Sequence, residues 1–484
     1  MNLQVFLEIL AFLVPLTHAL GFISAAHALF YTRSSQGAIA WALSLIFFPY
    51  LAIPLYLILG RRRFYGYVEA RRAGDSAIDH LANRLITANE AHAIKFSGDQ
   101  QRFDVFNHLA DFPFTKGNSA RLLIDGEQTF AAIFEAIASA KQFLLIQFFI
   151  IRDDDLGRRL RDALIEKAGE GVHVYVLYDE IGSLALPPNY SRMLREAGAK
   201  VHPFNSRRGW RNRFQINFRN HRKIVAADGR IAFVGGHNVG VEYLGQSRFG
   251  HWRDTHIAIT GPAVAGVQWS FVEDWHWSTG ELLTLPAPPE IPGLNAGDSC
   301  VKDAAACVIS TGPADDIPAC TLMFLGAITA AKHRLWIASP YFVPDEAVYD
   351  SLQLAAIRGV DVRIMLPAKA DHILVYLAGF SYLKSAERAG VKFYRYATGF
   401  LHQKVMLVDD DLAAVGTANL DNRSMYLNFE QTVLLADKEF AGKVAAMLET
   451  DFEACERATP GDLGRRALPF RIAVRIARLT SPLQ

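Results

Sequence analysis

Two stretches of the chain carry the same grammar of reactive residues. Residues 219–238, RNHRKIVAADGRIAFVGGHN, place His221 and Lys223 two apart, Asp228 five positions beyond the lysine, then a glycine pair and Asn238. Residues 401–421, LHQKVMLVDDDLAAVGTANLD, repeat it with His402, Lys404, Asp409 and Asn419. The interval from His221 to Asn238 equals that from His402 to Asn419, and Gly235 stands as far beyond His221 as Gly416 does beyond His402. One His-x-Lys-x4-Asp pattern arises by chance in about one of some tens of chains this long. Two copies in the same register point to an internal repeat.

A protonated lysine offers no lone pair, so a His-x-Lys pair is a poor metal chelate and a good device for holding an anion beside a nitrogen nucleophile. Two lysines, Lys223 and Lys404, and two asparagines, Asn238 and Asn419, converging on one phosphate would bind its non-bridging oxygens and stabilise charge as phosphorus becomes five-coordinate. One neutral imidazole would attack phosphorus, and the other, protonated, would protonate the departing alkoxide and later take a proton from the incoming alcohol. A histidine pKa of about 6.5 suits both roles, and neither a metal nor a cofactor is required. Each histidine needs a carboxylate on its far nitrogen, and Asp254 in RDTHIAIT and Glu430 in FEQTVLLA, each opening a strand downstream of the histidine in its own half, are the candidates. Asp228 and Asp409 complete the two candidate catalytic sets, although their turn positions equally suit holding the hairpins.

The elements that must position these groups follow from periodicity. On a strand, residues two apart share a face, so His221 and Lys223 are expected on one side and Arg222 on the other. Asp228-Gly229 between KIVAA and RIAFV reads as a hairpin turn, and the glycines let backbone pass close to a neighbour. Before it come QFLLIQFFI as a buried strand, DDLGRRLRDALIEKAGEG as a helix, VHVYVLYDE as a strand and YSRMLREAGA as a helix. RLWIASPYF, DEAVYDSLQLAAIRG, VDVRIMLP, ILVYLAGFSYLKSAERAG and VKFYRY repeat the alternation ahead of His402, so each half is an α/β sheet domain. LPAPPEIPG, 285–293, has four prolines in nine residues and marks an extended linker.

At 484 residues and 51% hydrophobic, the chain exceeds one domain, and its net charge of +1 carries no signal for a nucleic-acid partner. Four cysteines without CxxC spacing suggest neither a disulfide framework nor a zinc site. AIAWALSLIFFPYLAIPLYLILG, 38–60, is uncharged and long enough to cross a bilayer, and the run from Leu3 to Tyr31 is expected to be a second span. A secretory signal is the rival reading of the first run, but its first seven residues hold no Lys or Arg. YTRSSQG between the spans carries one arginine and GRRRFYGYVEARR after them carries five, which puts both ends of a transmembrane hairpin in the cytoplasm. Residues 205–223 hold seven Lys or Arg, no acid, and Trp210, Phe214 and Phe218, a composition for an anionic lipid surface beside a membrane hairpin. The tail RRALPFRIAVRIARLTSPLQ has five arginines and no acid and reads as a basic amphipathic helix, suited equally to the cytoplasmic leaflet or to capping a domain.

The paired His-Lys-Asp motifs resemble those of the phospholipase D superfamily, and the wider match is to the bacterial cardiolipin synthases. NFRNHRKI, HWRDTHIAITGPAV, FVEDWHWSTG, ASPYFVPDE, GFLHQKVMLVD, GTANLDNRSMYLNFE and the terminal RLTSPLQ all resemble that family, over essentially the full chain. The resemblance implies two phospholipase D-like α/β/α sheet domains in one pseudo-symmetric unit behind the two-helix transmembrane hairpin. The expected division is a hairpin at 1–60 (spans about 3–31 and 38–60), a helical connector at 61–115, halves at 116–284 and 301–455 around a linker at 285–300, and a tail at 456–484. It further implies metal-independent transfer of a phosphatidyl group from one phosphatidylglycerol to another, giving cardiolipin and glycerol at the cytoplasmic face of a bacterial inner membrane. By the same resemblance His221 is the nucleophile and His402 the acid and base; the spacing itself does not distinguish them. Water or another alcohol as acceptor, as in a phospholipase D or a phosphatidylserine synthase, is the second enzymatic reading. A non-catalytic lipid-binding scaffold is the third, nuclease activity is disfavoured by the spans, and oligomeric state has no signature here.

Overall fold

The structure is a computed structural model and describes residues 3–32, 34–60, 64, 67, 87, 89–204, 217–286, 300–458 and 466–484. These fall into two compact units, one within 1–69 plus 206–218, the other within 70–205 plus 219–484.

In the first unit, helix Leu3–Tyr31 runs through Pro15 without a break. Its stretch Ala11–Tyr31 has a mean hydropathy of 1.5, and it is the one helix among the described residues long and apolar enough to cross a membrane. The run expected as a single span over 38–60 is instead two helices, Ser35–Phe47 and Pro49–Leu59. Pro49 has no N–H for the ladder and pushes Phe48 out of the helical region, to φ −131° and ψ 50°. Ala25, Ala28, Leu45, Ala52 and Tyr56 form the packed seam of these helices.

The second unit is organised by a 16-stranded sheet, fifteen strands in one path and Arg219–Asn220 paired beside it to Asn428–Leu435. Reading outward from its middle, the first half contributes Thr115–Ile124, Thr255–Thr260, Ile231–Gly235, Ile224–Ala227, Phe143–Phe148, His173–Asp179 and Lys200–Phe204. The second half contributes Cys300–Thr311, Asn428–Leu435, Leu412–Gly416, Val405–Val408, Arg334–Ala338, Asp361–Pro367 and Lys392–Tyr396 in the same order, with Cys455–Arg457 at its edge. The leading strands of the halves pair antiparallel, Thr115 with Ala306 and Arg121 with Cys300. That pairing puts a pseudo-two-fold axis at the centre of the sheet. These two joining strands have no counterpart in the sequence reading, because TKGNSARLLI mixes polar and apolar residues without a clean alternation and turns at Gly117 with φ +82°.

Strand periodicity of two sorts side chains onto the two faces. In Phe143–Phe148, Phe143 and Leu145 join the cluster under helices Val264–Thr279 and Lys438–Glu453, while Leu144, Ile146 and Phe148 join the one under helices Asp125–Ser139 and Asp155–Gly169. In Arg334–Ala338 the same alternation sends Trp336 and Ala338 to the first cluster and Leu335 and Ile337 to a third, under helices Ala319–Ala330 and Glu346–Ile357. The result is an α/β/α layering repeated in each half. The connector expected to be helical over 61–115 is described continuously from residue 89, and that part contains short turns of helix, Glu90–His92, Gly98–Phe103 and Asp104–Asn107, that set Phe103, Phe106 and Phe114 into the second half's core. Most of the linker, 287–299, and of the basic aromatic stretch, 205–216, lie outside the described residues.

Candidate active site

His221 and Lys223 do not stand on a regular strand as expected. They occupy the extended link between Arg219–Asn220 and Ile224–Ala227, and His402 and Lys404 occupy the matching link between Phe400–Leu401 and Val405–Val408. A two-residue parallel ladder anchors each link to the opposite half. Arg219–Asn220 pairs with Asn428–Phe429, and Phe400–Leu401 pairs with Trp252–Arg253. The His221 amide then donates to the Phe429 carbonyl at 2.9 Å, and the His402 amide to the Arg253 carbonyl at 2.8 Å.

These ladders decide which carboxylate meets which imidazole. The reading that paired each histidine with the acid of its own half is corrected: Glu430 lies against His221 Nδ1, at 2.9 and 3.0 Å, and Asp254 lies 2.7 Å from His402 Nδ1. A carboxylate only accepts, so Nδ1 of each ring carries the hydrogen and Nε2 keeps its lone pair. Glu430 is itself held by Thr417 Oγ1 at 2.5 Å, Ser424 Oγ at 2.7 Å and Asn428 Nδ2 at 3.1 Å. Asp254 has fewer donors, taking the Thr255 amide at 2.8 Å on its other oxygen. Gly236 makes room for it, since a Cβ there would come within 1.9 Å of Asp254 Oδ1. The glycines of the motif thus serve close approach: a Cβ on Gly235 would lie 2.5 Å from His256 Nδ1 and one on Gly416 2.5 Å from the Gln431 carbonyl.

Lys223 and Lys404 are buried, and each turns its Nζ to the carbonyl of its own histidine, Lys223 at 2.6 Å and Lys404 also within 2.9 Å of His402 Nδ1. Burial, joined by the charge of the other lysine, outweighs the pull of Glu430 and pushes Lys223 well down. Burial brings Lys404 to about 8 against the pull of Asp254 and Glu430, so it still carries its proton at pH 7. Both imidazoles are depressed, His221 to about 4, by burial first, with both lysines adding to it. At neutral pH the substrate-free site therefore presents two neutral rings beside the Lys404 ammonium. Phe149 stands edge-on to His221 at 5.0 Å, while Trp252 and Tyr243 flank His402 at 5.4 and 5.8 Å.

The remaining candidates are placed differently. Asn238 is drawn into structure: its Oδ1 accepts from the Ile150 amide at 3.2 Å and its Nδ2 donates to Tyr243 Oη at 3.1 Å. Asn419 is buried beside Asp421, whose carboxyl is pushed up by burial, and its side-chain hydrogen bond opposes that push. Asp228 and Asp409, candidates for catalysis, sit at the far ends of their strands, up to roughly 20 Å along the extended chain from the histidines. Their φ values are 52° and 51°. Asp228 accepts from the Lys141, Gln142 and Phe143 amides at 2.8–2.9 Å, and Asp409 from those of Lys332, His333 and Arg334. They tie each hairpin to the start of a strand from earlier in the chain and do not reach the histidines. Asp228→Ala is accordingly expected to cost about 2–3 kcal/mol of stability, measured as a lower unfolding midpoint in detergent, while reaction per folded molecule persists.

Sequence reasoning missed a layer behind the rings. Arg222, on the face away from His221, bonds Asp274 Oδ2 at 2.9 Å, and Asp274 also takes Asn220 and Gln147. In the second half Gln403 stands where Arg222 does, and Arg253 from the first half supplies the guanidinium to Asp451 at 2.7 Å. The alternation of Arg222 with His221 and Lys223 was the available signal.

The geometry agrees with what the chain is similar to. A family described as cardiolipin synthase, PLD-like domain, matches residues 133–266 and 324–454, and one described as phospholipase D-nuclease N-terminal matches 19–61. Cardiolipin synthase A of Pseudomonas putida KT2440 is 49% identical over 477 residues, covering 98% of this chain and 97% of its own. Cardiolipin synthase A of Pseudomonas aeruginosa LESB58 is 49% identical over 470 residues, covering 96% and 94%. Among solved structures, phosphatidylserine synthase of Haemophilus influenzae Rd KW20 shares the fold at 16% identity, with a TM-score of 0.61 over 80% of this chain and 100% of that one.

Proposed function

The chain belongs to the cardiolipin synthase family with phospholipase D-like domains, and on that premise we propose that it transfers a phosphatidyl group from one phosphatidylglycerol to the glycerol hydroxyl of another, giving cardiolipin and free glycerol. The observation that carries the reaction is the pair of buried imidazoles, each fixed with Nδ1–H on a carboxylate and Nε2 bare.

The phosphodiester's negative charge enters between Lys223 and Lys404, opposing the burial that chiefly depresses His402 and offsetting the two lysine charges that add to it, so that ring gains a proton as the lipid binds. His221 Nε2 attacks phosphorus, the bond to the headgroup oxygen breaks, and His402 Nε2–H protonates the leaving glycerol. A second phosphatidylglycerol then gives its hydroxyl proton to His402, its oxygen bonds to phosphorus, and the phosphorus–nitrogen bond breaks. Lys223 and Lys404 hold the non-bridging oxygens through both steps. Asn238 and Asn419 serve this reading by fixing Tyr243 and the Asp421 turn rather than by reaching for phosphate. Incubating the detergent-solubilised chain with headgroup-labelled phosphatidylglycerol and analysing lipids by mass spectrometry tests it. Cardiolipin with labelled glycerol is the expected outcome; phosphatidic acid as the main product would make water the acceptor.

The apolar amino-terminal helices are read as a transmembrane hairpin, the two halves of the 38–60 run crossing as one kinked helix. The arginine excess after them keeps the catalytic part in the cytoplasm. Helix Leu468–Arg478 of the tail has one face for each of the two alternatives, a cap and a leaflet contact. Phe470, Val474 and Ala477 pack toward helix Ile373–Ala389, and Leu468, Ile472, Ile476 and Leu479 remain 50–80% exposed among Arg471, Arg475 and Arg478. That outer face suits an anionic leaflet. Replacing the three arginines by glutamate is expected to lower activity in phosphatidylglycerol nanodiscs several-fold relative to activity in detergent micelles. An unchanged ratio would leave the helix as a cap alone.

A further inference from the structure

The pseudo-two-fold axis relates the backbones of the two halves but not the walls beside the two histidines. In the first half, Gln147 pairs with Ile224, so the chain leaving that strand passes His221 as Phe148-Phe149-Ile150-Ile151, an apolar wall. In the second half, Ala338 pairs with Val405, so Ser339-Pro340-Tyr341 passes Lys404 and His402 in the same way. Where Ile150 stands on one side, Tyr341 stands on the other. Tyr341 Oη donates to Asp371 Oδ2 at 2.6 Å, and Asp371 lies in the loop just before helix Ile373–Ala389. The Asp371 side chain is 17% exposed, Tyr341 is half-buried, and the carboxylate's charge acts on both His402 and Lys404.

Resting on the phosphatidyl-transfer reading, we infer that Tyr341 and Asp371 form the subsite for a vicinal diol, the glycerol headgroup that leaves from the donor lipid and is presented by the acceptor lipid. The leaving and entering alcohols occupy the same position, opposite the nucleophile and beside the acid and base, which is the His402 side. A glycerol headgroup brings a second hydroxyl next to the reacting one. An ionised carboxylate is the strongest available acceptor for it, and the Tyr341 hydroxyl fixes that carboxylate while leaving it lone pairs to spare. The apolar wall of Phe149 and Ile150 on the His221 side has nothing to offer a diol and suits the diacylglycerol portion. A simple alcohol has no second hydroxyl to give Asp371, so the pair favours glycerol over it in competition for the intermediate.

The test is a competition within one reaction. The full chain in detergent, with phosphatidylglycerol as donor, is given isotope-labelled glycerol and 1-propanol at equal concentration, and labelled phosphatidylglycerol and phosphatidylpropanol are quantified. Both alcohols draw on the same intermediate, so their ratio is independent of how much enzyme is folded. Asp371→Asn is expected to lower the glycerol-to-propanol ratio about tenfold, and Tyr341→Phe, which removes one hydroxyl from a half-buried ring, to lower it several-fold. Ratios at the wild-type value in both variants would overturn the subsite while leaving the transfer reaction standing. Phosphatidic acid alone from the wild type would remove the transfer reading and the subsite with it.

Discussion

His221→Ala is expected to reduce cardiolipin formation by about 10⁴-fold or more, and His402→Ala by a similar factor, because removing either member of a nucleophile and acid-base pair disables the unit. The two losses differ in kind. A phosphatidyl ester of p-nitrophenol needs no proton for its leaving group. With that donor, His402→Ala should still release a burst of nitrophenol and accumulate a phosphatidyl adduct on His221. His221→Ala should give neither. Acidity separates them further: His221 is held near 4, so its lone pair is available well below the usual range for histidine and is lost only as pH falls toward that value. The burst should therefore persist at pH 5. Recovery of the adduct on His402 would reverse the two roles.

The second large effect follows from the crossed carboxylates. Glu430→Gln and Asp254→Asn are each expected to lower turnover by roughly 10²–10⁴-fold, since an amide no longer fixes the Nδ1–H tautomer or stabilises an imidazolium. Because Glu430 holds His221 and Asp254 holds His402, the defects should sort by partner and not by position along the chain. Glu430→Gln should slow the nitrophenol burst itself. Asp254→Asn should slow the burst far less and instead slow discharge of the adduct to alcohols. In double-mutant cycles Glu430 should couple to His221, 209 residues away, and Asp254 to His402, 148 residues away. A burst lost in Asp254→Asn and retained in Glu430→Gln would restore the pairing within halves.

The crossing has a structural consequence. Neither half owns a complete site: the first supplies His221 and the carboxylate for His402, and the second the reverse. The halves must be docked through their leading strands before either imidazole is oriented. The second layer repeats this dependence, with Arg253 of the first half bound to Asp451 of the second and Arg222 of the first half donating to the Glu430 carbonyl of the second.

Local chemistry was legible in the sequence wherever it repeated. The two His-x-Lys motifs, the alternation of strand and helix ahead of each, the Asp-Gly turn and the apolar amino terminus follow from residue type and short-range period, which act between near neighbours in the chain. The strands 115–124 and 300–311 were not legible, because a central strand that mixes polar with apolar residues and breaks its extended run at a left-handed residue, Gly117 in one and Asp303 in the other, carries no clean period of two. The roles of Asp228 and Asp409 were only half legible. Their turn positions suggested a hairpin function, but the three backbone amides each one binds lead into a strand far earlier in the chain, the one opening at Phe143 for Asp228 and at Arg334 for Asp409.

What the sequence by itself determined is therefore the inventory: two histidines, two lysines, a pair of acids downstream, the membrane-compatible helices and the α/β repeat. What only the tertiary structure decided is the wiring: Glu430 with His221, Asp254 with His402, Phe149 edge-on to His221, and Tyr341 bonded to Asp371. The reason is physical. Periodicity records how a segment meets its immediate neighbours, whereas these pairings hang on two ladders of two residues each, Arg219–Asn220 on Asn428–Phe429 and Trp252–Arg253 on Phe400–Leu401. Segments that short have no periodic signature of their own, and they exist only once the two halves share one sheet.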